Sequence, residues 1–316
     1  MKLYTNLEQF KARKPVVTIG TFDGVHLGHQ KVILRLQEFA RQHDGETVIF
    51  TFHTHPRLIT APDGSNLRLL TTLAEKINLF EKYGIDHLII YTFDKSFSEL
   101  TYSEFVEKIL VEQIKTHCLV VGYDHKFGKN REGGFDYLKK CAEKHKFEIE
   151  RLDALLVEEE SVSSTKIRNA LENGLIEKAN HYLGYNFTLH GKVVEGKQLG
   201  RKLGFPTANI EASDKYKIIP GYGVYAVQVE LDGTEYNGML NIGTRPTFNN
   251  NADNRSIEVH IFDFEGDIYG KEITLKFAGK IRDEQKFDTI EMLVSQLEKD
   301  KIAALSILEK CQSLFD

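Results

Sequence analysis

Val16-Val17-Thr18-Ile19-Gly20-Thr21-Phe22-Asp23-Gly24-Val25-His26-Leu27-Gly28-His29 is the stretch from which the first half of this chain can be read. Four β-favouring residues run into a turn punctuated by Gly20, Gly24 and Gly28. Beyond it Val32, Ile33, Leu36, Phe39 and Ala40 recur at helical spacing between Gln30 and Arg41. The pattern predicts strand, tight loop, helix. Glycines let a backbone approach a bound anion, and the opening turn of a helix presents N–H groups without intrahelical partners and a partial positive charge. Such a corner suits phosphate. His26 and His29 are three residues apart, so a helix starting near Leu27 puts both imidazoles on one side of its first turn, each able to donate to a phosphate oxygen. Displacement at an α-phosphate needs in-line placement and donors where charge gathers on the departing pyrophosphate. A solvated loop and a zinc pair are the other readings. A helical zinc site of the metalloprotease kind has a glutamate between its histidines and a third ligand, whereas Leu27 and Gly28 stand here.

Working outward, Asp44-Gly45 turns the chain into Val48 to Phe52, a short apolar run of the buried parallel-strand type. Thr72 with Glu75 makes a capping box for a helix carrying Leu73, Ile77 and Phe80 and ended by Gly84, and Leu88 to Tyr91 reads as the next strand. Thr101 with Glu104 repeats the device ahead of Phe105, Ile109 and Ile114, after which Cys118 to Val121 runs into Gly122. Strands alternating with helices predict a parallel α/β sheet, whose ligands gather at the carboxyl ends of the strands. Gly122 to Gly134 is a glycine-rich basic loop behind one such strand, a plain turn or a ligand loop by composition. Ser163-Ser164-Thr165-Lys166-Ile167-Arg168 opens a helix that runs to about Asn173 and stops at Gly174. Its hydroxyls, with Lys166 or Arg168 one turn in, make either an N-cap on a solvated face or a second phosphate cradle.

Around His181-Tyr182-Leu183-Gly184 the texture changes to short strands with frequent glycine, which places a domain boundary between residues 183 and 184. Thr188 to Val194, Val224 to Leu231, Gly238 to Ile242, Ile257 to Phe264 and Ile273 to Ile281 read as five or six antiparallel strands of a small barrel, with turns such as Asp232-Gly233. Asp288 and Glu291 are expected to cap a last helix with Ile290, Leu293, Leu297, Ile302, Leu305 and Leu308 on its apolar stripe. Gly200-Arg201-Lys202-Leu203-Gly204-Phe205-Pro206-Thr207-Ala208-Asn209 reads as a structural turn, or as a loop whose Thr and Asn oxygens are hard ligands suited to Mg²⁺. In the strand around Glu258, Ile257, Val259 and Ile261 alternate with Ser256, Glu258 and His260, so the carboxylate points away from the aliphatic face.

A chain of 316 residues is long enough for two domains, each with its own core. Apolar content of 41% and charged content of 28% describe a soluble globular protein, and no run approaches the roughly 18 apolar residues that cross a bilayer. The start of the chain lacks the apolar core of a signal peptide, so a cytoplasmic protein without a membrane partner is expected. Cys118, Cys141 and Cys311 are isolated, which suits reduced packing residues. A net charge of −5 leaves no electrostatic footprint for nucleic acid, so small polyanions must be held by local dipoles and a few cations. Oligomeric state is not legible.

The segment Gly20 to His29 resembles the G-x-F-D-G-x-H-x-G-H signature of bacterial FAD synthetases, within the wider nucleotidyltransferase superfamily. Gly122, Asp124, Phe127, Gly128, Arg131 and Gly133 are similar to that family's second motif, and Ser163, Ser164, Thr165, Ile167 and Arg168 to its S-S-T-x-I-R motif. Gly200 to Asn209 resembles the G-R-x-L-G-F-P-T-A-N signature of riboflavin kinases, and Asn241 to Thr247 and Glu258 to Phe264 resemble other segments of that family. The resemblance covers essentially the whole chain. It implies an FMN adenylyltransferase domain over 1–183, of nucleotidyltransferase-like parallel α/β fold, and a riboflavin kinase domain over 184–316, a small antiparallel β-barrel with a C-terminal helix. It implies nucleotide contacts at Gly20, Phe22, Asp23, Gly24, Gly28, Gly122, Asp124, Phe127, Gly128, Arg131, Ser163, Ser164 and Thr165 in the first half. In the second half the nucleotide would meet Gly204, Pro206, Thr207 and Asn209, with Mg²⁺ on Thr207 and Asn209. His26, His29 and Arg168 would serve adenylyl transfer from ATP to FMN, and Glu258 would take the proton of the riboflavin hydroxyl during transfer from ATP. His55, Pro56, Arg282 and Phe287 would contact flavin. The chain departs from the family at His53 and Thr54, where an acidic residue and a proline are usual, and at His125, where an aromatic is common. A nucleotidyltransferase for another phosphorylated acceptor and a non-catalytic flavin-binding protein are the alternatives. The first leaves the second half unexplained, and the second sits poorly with retention of His29, Arg168, Thr207, Asn209 and Glu258.

Overall fold

The computed structural model describes residues 1–53, 55–60, 67–123, 127–128, 133–153, 156–157, 160–196, 200, 203–244 and 255–312. The chain divides into two compact units, Met1–Ser164 and Thr165–Asp316.

The first unit is built on β1 (Lys2–Tyr4), β2 (Pro15–Ile19), β3 (Glu46–His53), β4 (His87–Thr92), β5 (Cys118–Gly122) and β6 (Glu148–Leu152). They form one sheet in the order β1-β4-β3-β2-β5-β6, and every pairing is parallel. All five residues of β2 are buried, which is why its sequence is apolar but for Thr18 rather than alternating. Successive side chains still go to opposite faces. Val17, Ile19, Val48, Phe50, Leu119 and Val121 belong to one core cluster, and Val16, Ile49, Ile90, Cys118 and Val120 to another. Helices cover both. α1 (Leu27–His43) places Ile33, Leu36 and Ala40 on the second cluster, with Phe80 of α2 (Leu73–Lys82) beside them. α3 (Phe135–His145) places Leu138, Cys141 and Ala142 on the first. The Thr72–Glu75 and Thr101–Glu104 capping boxes both form. Beyond the second, Phe105–Gln113 winds as a π-helix that buries Phe105, Val106, Ile109 and Leu110. β7 (Leu156–Val157) and β8 (Glu160–Ser161) make a separate two-stranded antiparallel ribbon.

The second unit contains a closed barrel of β9 (Thr188–Val194), β10 (Ala208–Ala212), β11 (Gly223–Leu231), β12 (Thr234–Thr244), β13 (Arg255–Ile261) and β14 (Glu272–Arg282). The order around it is β10-β13-β12-β11-β14-β9, antiparallel throughout. Asp232 and Gly233, both at positive φ, make the expected tight turn between β11 and β12. α4 (Ser164–Glu172) begins at the border of the units, and α5 (Ile176–Leu183) follows it. Both are tied to the barrel unit. The Gly221 N–H donates to the Leu171 carbonyl at 2.9 Å. Asn180 donates to the Phe277 carbonyl and accepts from the Phe187 N–H, both at 2.8 Å. The compact unit therefore starts earlier than the change of texture at 183/184, which marks where the strands begin.

Two expectations for the last helix, α6 (Ile290–Gln312), are corrected. Its first turn is capped by the Thr289 hydroxyl, which accepts from the Met292 N–H at 3.3 Å, rather than by Asp288. Ile290 and Ile302 are 62% and 70% exposed, so neither belongs to the buried stripe; Ala304 and Leu308, with Leu297, Leu305, Ile307 and Cys311, pack on Ala226, Met239, Phe262 and Ala278 of the barrel unit. No helix among the described residues is long and apolar enough to cross a membrane.

Candidate active sites

In the first unit, the loop between β2 and α1 is held in an unusual shape. Phe22, Gly24 and Val25 all have positive φ (48°, 86° and 35°), and for a β-branched residue such as Val25 that conformation is strained. Burial and hydrogen bonds enforce it. Phe22 and Val25 are packed in the core, and the Asp23 Oδ1 accepts from the N–H groups of Leu70 and Thr71 at 2.9 and 3.1 Å. The Thr71 hydroxyl accepts from the Gly24 N–H at 3.0 Å. Ser164 at the start of α4 donates to the Asp23 carbonyl at 2.8 Å, so two of the sequence motifs meet here. Lys76 of α2, itself buried, donates to the Thr21 carbonyl at 3.1 Å, and burial pushes its pKa down while Asp23 opposes the shift.

His26 is the N-cap of α1 and His29 lies in its first turn, as the spacing predicted. Their rings stack with centroids 3.7 Å apart and planes 15° from parallel. Gly28 gives the stack room, because a Cβ there would stand 3.2 Å from the His26 ring and press on it. The His29 N–H points to His26 Nδ1 at 3.4 Å, which leaves the proton of a neutral His26 on Nε2. Burial, then the neighbouring His26 and Lys76, push the pKa of His29 well below the ordinary 6.5, so its ring is neutral at physiological pH. His29 Nδ1 is buried without a hydrogen-bond partner among the described residues. A stacked pair of imidazoles at a helix N-terminus is a donor set for a polyanion.

Gly122 ends β5, and β3 leads to His55 and to Pro56, the first residue of a short helix (Pro56–Thr60); β5 and β3 are the two neighbours of β2, so these positions share one end of the sheet. Phe127 sits at the foot of the loop behind β5. It is 8% exposed and packs on Phe105, while its backbone bridges Gly133, so it anchors the base of its loop. Gly128 backs onto Tyr102. Asp124 and Arg131, with Thr54 and His125, lie outside the described residues. Thr165 and Arg168 belong to the second unit.

In that unit, a cavity of about 540 Å³ brings together Thr207, Glu258, Arg282 and Phe287, with Leu203, Phe205, Asn241, Leu293 and Asp300 also on its walls. Strand register sets its chemistry. Glu258 of β13 lies opposite Asn209 of β10 on one side and Asn241 of β12 on the other, so the three polar side chains share one face of the barrel wall. The Thr207 hydroxyl is 3.5 Å from Glu258 Oε2. Ile257, Val259 and Ile261 occupy the buried opposite face as alternation required, yet the polar face is also covered, with Ser256 and His260 each 9% exposed. A second cavity, of about 330 Å³, lies between Pro206, Thr207, Ala208 and the Phe264–Tyr269 turn, so Thr207 borders both. Gly204 is exposed at the bend before Phe205, at φ +82°.

Arg282 does not reach into the cavity as a free cation. Its guanidinium pairs in two-pronged fashion with Asp300 of α6, at 2.8 to 3.0 Å, and stacks over Phe287 at 5.6 Å. Asp300 is 1% exposed and also accepts from Gln296 at 2.9 Å. The pair pins α6 against the barrel and thereby sets one wall of the cavity.

Sequence reasoning missed two supporting groups. His260 Nδ1–H donates to the Pro206 carbonyl at 2.8 Å, with Phe205 and Phe262 edge-on to its ring, and so holds the turn that presents Thr207; burial pushes its pKa down against that hydrogen bond. Lys76 was visible in principle, since Leu73, Lys76, Ile77 and Phe80 follow the i, i+3, i+4, i+7 pattern with a lysine in an apolar place.

Comparison with known proteins matches one family to each part of the chain. The FAD synthetase family matches residues 8–166 and the riboflavin kinase family residues 183–308. A protein of Listeria monocytogenes named bifunctional riboflavin kinase/FMN adenylyltransferase is 40% identical over 286 residues, 90% of each chain. Its namesake in Bacillus subtilis is 38% identical over 293 residues, 92% of each chain. A solved structure described as a macrolide-efflux protein from Streptococcus pneumoniae superposes with a TM-score of 0.86 at 30% identity, covering 96% of this chain and 98% of that one.

Proposed function

Because the chain belongs to the bifunctional riboflavin kinase/FMN adenylyltransferase family, we propose that the β2–α1 corner carries adenylyl transfer to FMN and the Thr207–Glu258 cavity carries phosphorylation of riboflavin. The functional division is 1–183 and 184–316. The observation that carries the reading is the convergence of Thr207, Glu258, Arg282 and Phe287 on one cavity, which the linear sequence spreads over eighty residues.

In the kinase, the larger cavity takes the flavin, with Phe287 and Leu203 against its ring system, and the smaller takes the nucleotide. The two meet at Thr207. Glu258 accepts the proton of the riboflavin primary hydroxyl as its oxygen bonds to the γ-phosphorus and the bond to ADP breaks. Thr207 and Asn209 offer neutral hard oxygens beside a carboxylate, a donor set that fits Mg²⁺ sharing its shell with water and phosphate. When bound there, Mg²⁺ supplies charge neutralisation for the transferring phosphoryl group. In the adenylyltransferase, an FMN phosphate oxygen attacks the α-phosphorus of ATP and pyrophosphate leaves. His26, His29 and the first-turn N–H groups of α1 face the charge that builds on it. Ser163 and Ser164 add a second cradle, and His55 and Pro56 border the flavin. Three free cysteines and ATP as co-substrate support a cytoplasmic enzyme.

Site variants test the assignment. His29→Ala should lower FAD formation by about a hundredfold or more, the usual cost of one preorganised donor, and leave riboflavin phosphorylation intact. Glu258→Gln should lower phosphorylation by about 10²–10⁴ and leave FAD formation from supplied FMN intact. Equal loss of both activities in either folded variant would defeat it.

A further inference from the structure

At the amino ends of β5 and β6, the opposite end of the sheet from the β2–α1 corner, two imidazoles and a carboxylate converge. His43 is the last residue of α1, His117 directly precedes β5 and Glu148 opens β6. One ligand atom from each lies within 4.8 Å of the other two, the one such group among the described residues. His43 Nε2 is 3.5 Å from Glu148 Oε2, close to the spacing of about 3.3 Å between neighbouring ligands that metal–ligand bonds near 2.0–2.1 Å impose in a tetrahedral site.

The frame behind these atoms is rigid. The His117 N–H donates to the Pro15 carbonyl and its carbonyl accepts from the Glu148 N–H, each at 2.9 Å, so both residues are fixed by the sheet ladder. The His43 ring stacks on Phe39 with planes 12° apart and meets His117 edge-on at 5.2 Å. Field and charge are also suitable. α1 is about 25 Å long at 1.5 Å per residue, so its positive end serves the phosphate corner while its negative end carries His43, where a cation is favoured. Lys14, which donates to the His43 carbonyl, is the cation that opposes this, and the nearby Asp44 is paired with Arg13.

We propose that His43, His117 and Glu148 bind a transition-metal dication of the Zn²⁺ class, clasping the end of α1 to the edge of the sheet. Two histidines and one carboxylate suit Zn²⁺ or Co²⁺ and leave a position for water, whereas Mg²⁺ prefers an all-oxygen shell. The alternative is a plain ion pair of His43 with Glu148, which needs no metal and no His117.

The test uses the full chain, stripped with a chelator and kept in excess Mg²⁺, titrated with Co²⁺ and followed by the visible absorption of four-coordinate cobalt. One equivalent should bind in the micromolar range or tighter. His117→Ala and Glu148→Ala should weaken binding by at least about a hundredfold, the upper range seen for losing even an outer-shell partner. Both variants should keep FMN and FAD synthesis. Zn²⁺ should raise the unfolding temperature of the unaltered protein and leave that of the variants unchanged. His43→Gln, at the helix end, serves the same purpose if either variant fails to fold. Absence of saturable Co²⁺ binding to active protein would overturn the proposal, as would binding undiminished in the variants.

Discussion

Replacing Asp23 by alanine probes how the phosphate corner is held. Its carboxylate is 2% exposed and takes two N–H groups, from Leu70 and Thr71, which are also buried. Hydrogen bonds to charged groups are worth about 1.5–3 kcal/mol each, so two amount to roughly 3–6 kcal/mol. Relief of the carboxylate's own desolvation offsets part of that, which puts Asp23→Ala near 3 kcal/mol of lost stability in the first unit. Asp23→Asn keeps an acceptor oxygen and should cost about 1 kcal/mol. The loop matters beyond its stability. Without the latch, the positive φ values of Phe22 and Val25 are no longer enforced, and the start of α1 can relax away from its working position. FAD formation should therefore fall by about a hundredfold in the alanine variant, while riboflavin phosphorylation is unaffected. Urea unfolding of the full chain followed by both activity assays measures this. Unfolding within 1 kcal/mol of the parent with FAD formation within a few-fold would refute the view that these two bonds shape the loop.

Three further outcomes follow from the same structure. His29 is neutral in the folded state whereas the unfolded chain binds a proton near pH 6.5. Stability of the first unit should thus fall by up to about 1.4 kcal/mol per pH unit as pH drops below that value and stay flat above it; urea unfolding of His29→Gln between pH 7 and 5 should lose this slope, and an unaltered slope would assign it to other groups. Gly196→Ala would bring a Cβ to 1.9 Å from the Asn209 amide nitrogen, so Asn209 must move; riboflavin phosphorylation should drop by about a hundredfold with FAD formation retained, and retained kinase activity would take Asn209 out of the account. Asp300→Ala strands the largely buried Arg282 and should destabilise the second unit by about 3 kcal/mol while raising the KM for riboflavin; an unchanged KM would show that the Arg282–Asp300 pair does not shape the cavity.

The first unit was largely legible because its signals are local. The β2 run, the glycine-punctuated loop and the capping boxes at Thr72 and Thr101 each settle their own stretch of backbone, and the His26–His29 spacing needed only a helix start to become a stacked pair. Long-range partners were not legible. Nothing near Asp23 announces that Leu70 and Thr71 will supply its hydrogen bonds. The start of β10, Ala208 and Asn209, reads in the sequence as part of a turn and the rest carries no assignment, because Ala208-Asn209-Ile210-Glu211-Ala212 has little strand preference of its own and becomes a strand by pairing with β9 and β13. Alternation put Glu258 and His260 on one face correctly, but the cover over that face comes from the turn at Phe205 and from α6. Their approach depends on tertiary packing rather than on period-2 pattern. On α6, Ile290 and Ile302 were grouped by hydrophobicity, whereas the contacted stripe follows Leu297, Ala304, Leu308 and Cys311.

If one chain holds two sites that act one after the other, variants blocked at different sites should complement each other. His29→Ala and Glu258→Gln proteins, each folded, are incubated alone and mixed with riboflavin, ATP and Mg²⁺, and the flavins are identified by mass. His29→Ala alone should stop largely at FMN, Glu258→Gln alone should leave riboflavin largely unconverted, and the mixture should make FAD by passing free FMN from one protein to the other. A mixture that yields no more FAD than either variant alone would show that the two sites do not act in sequence through free FMN.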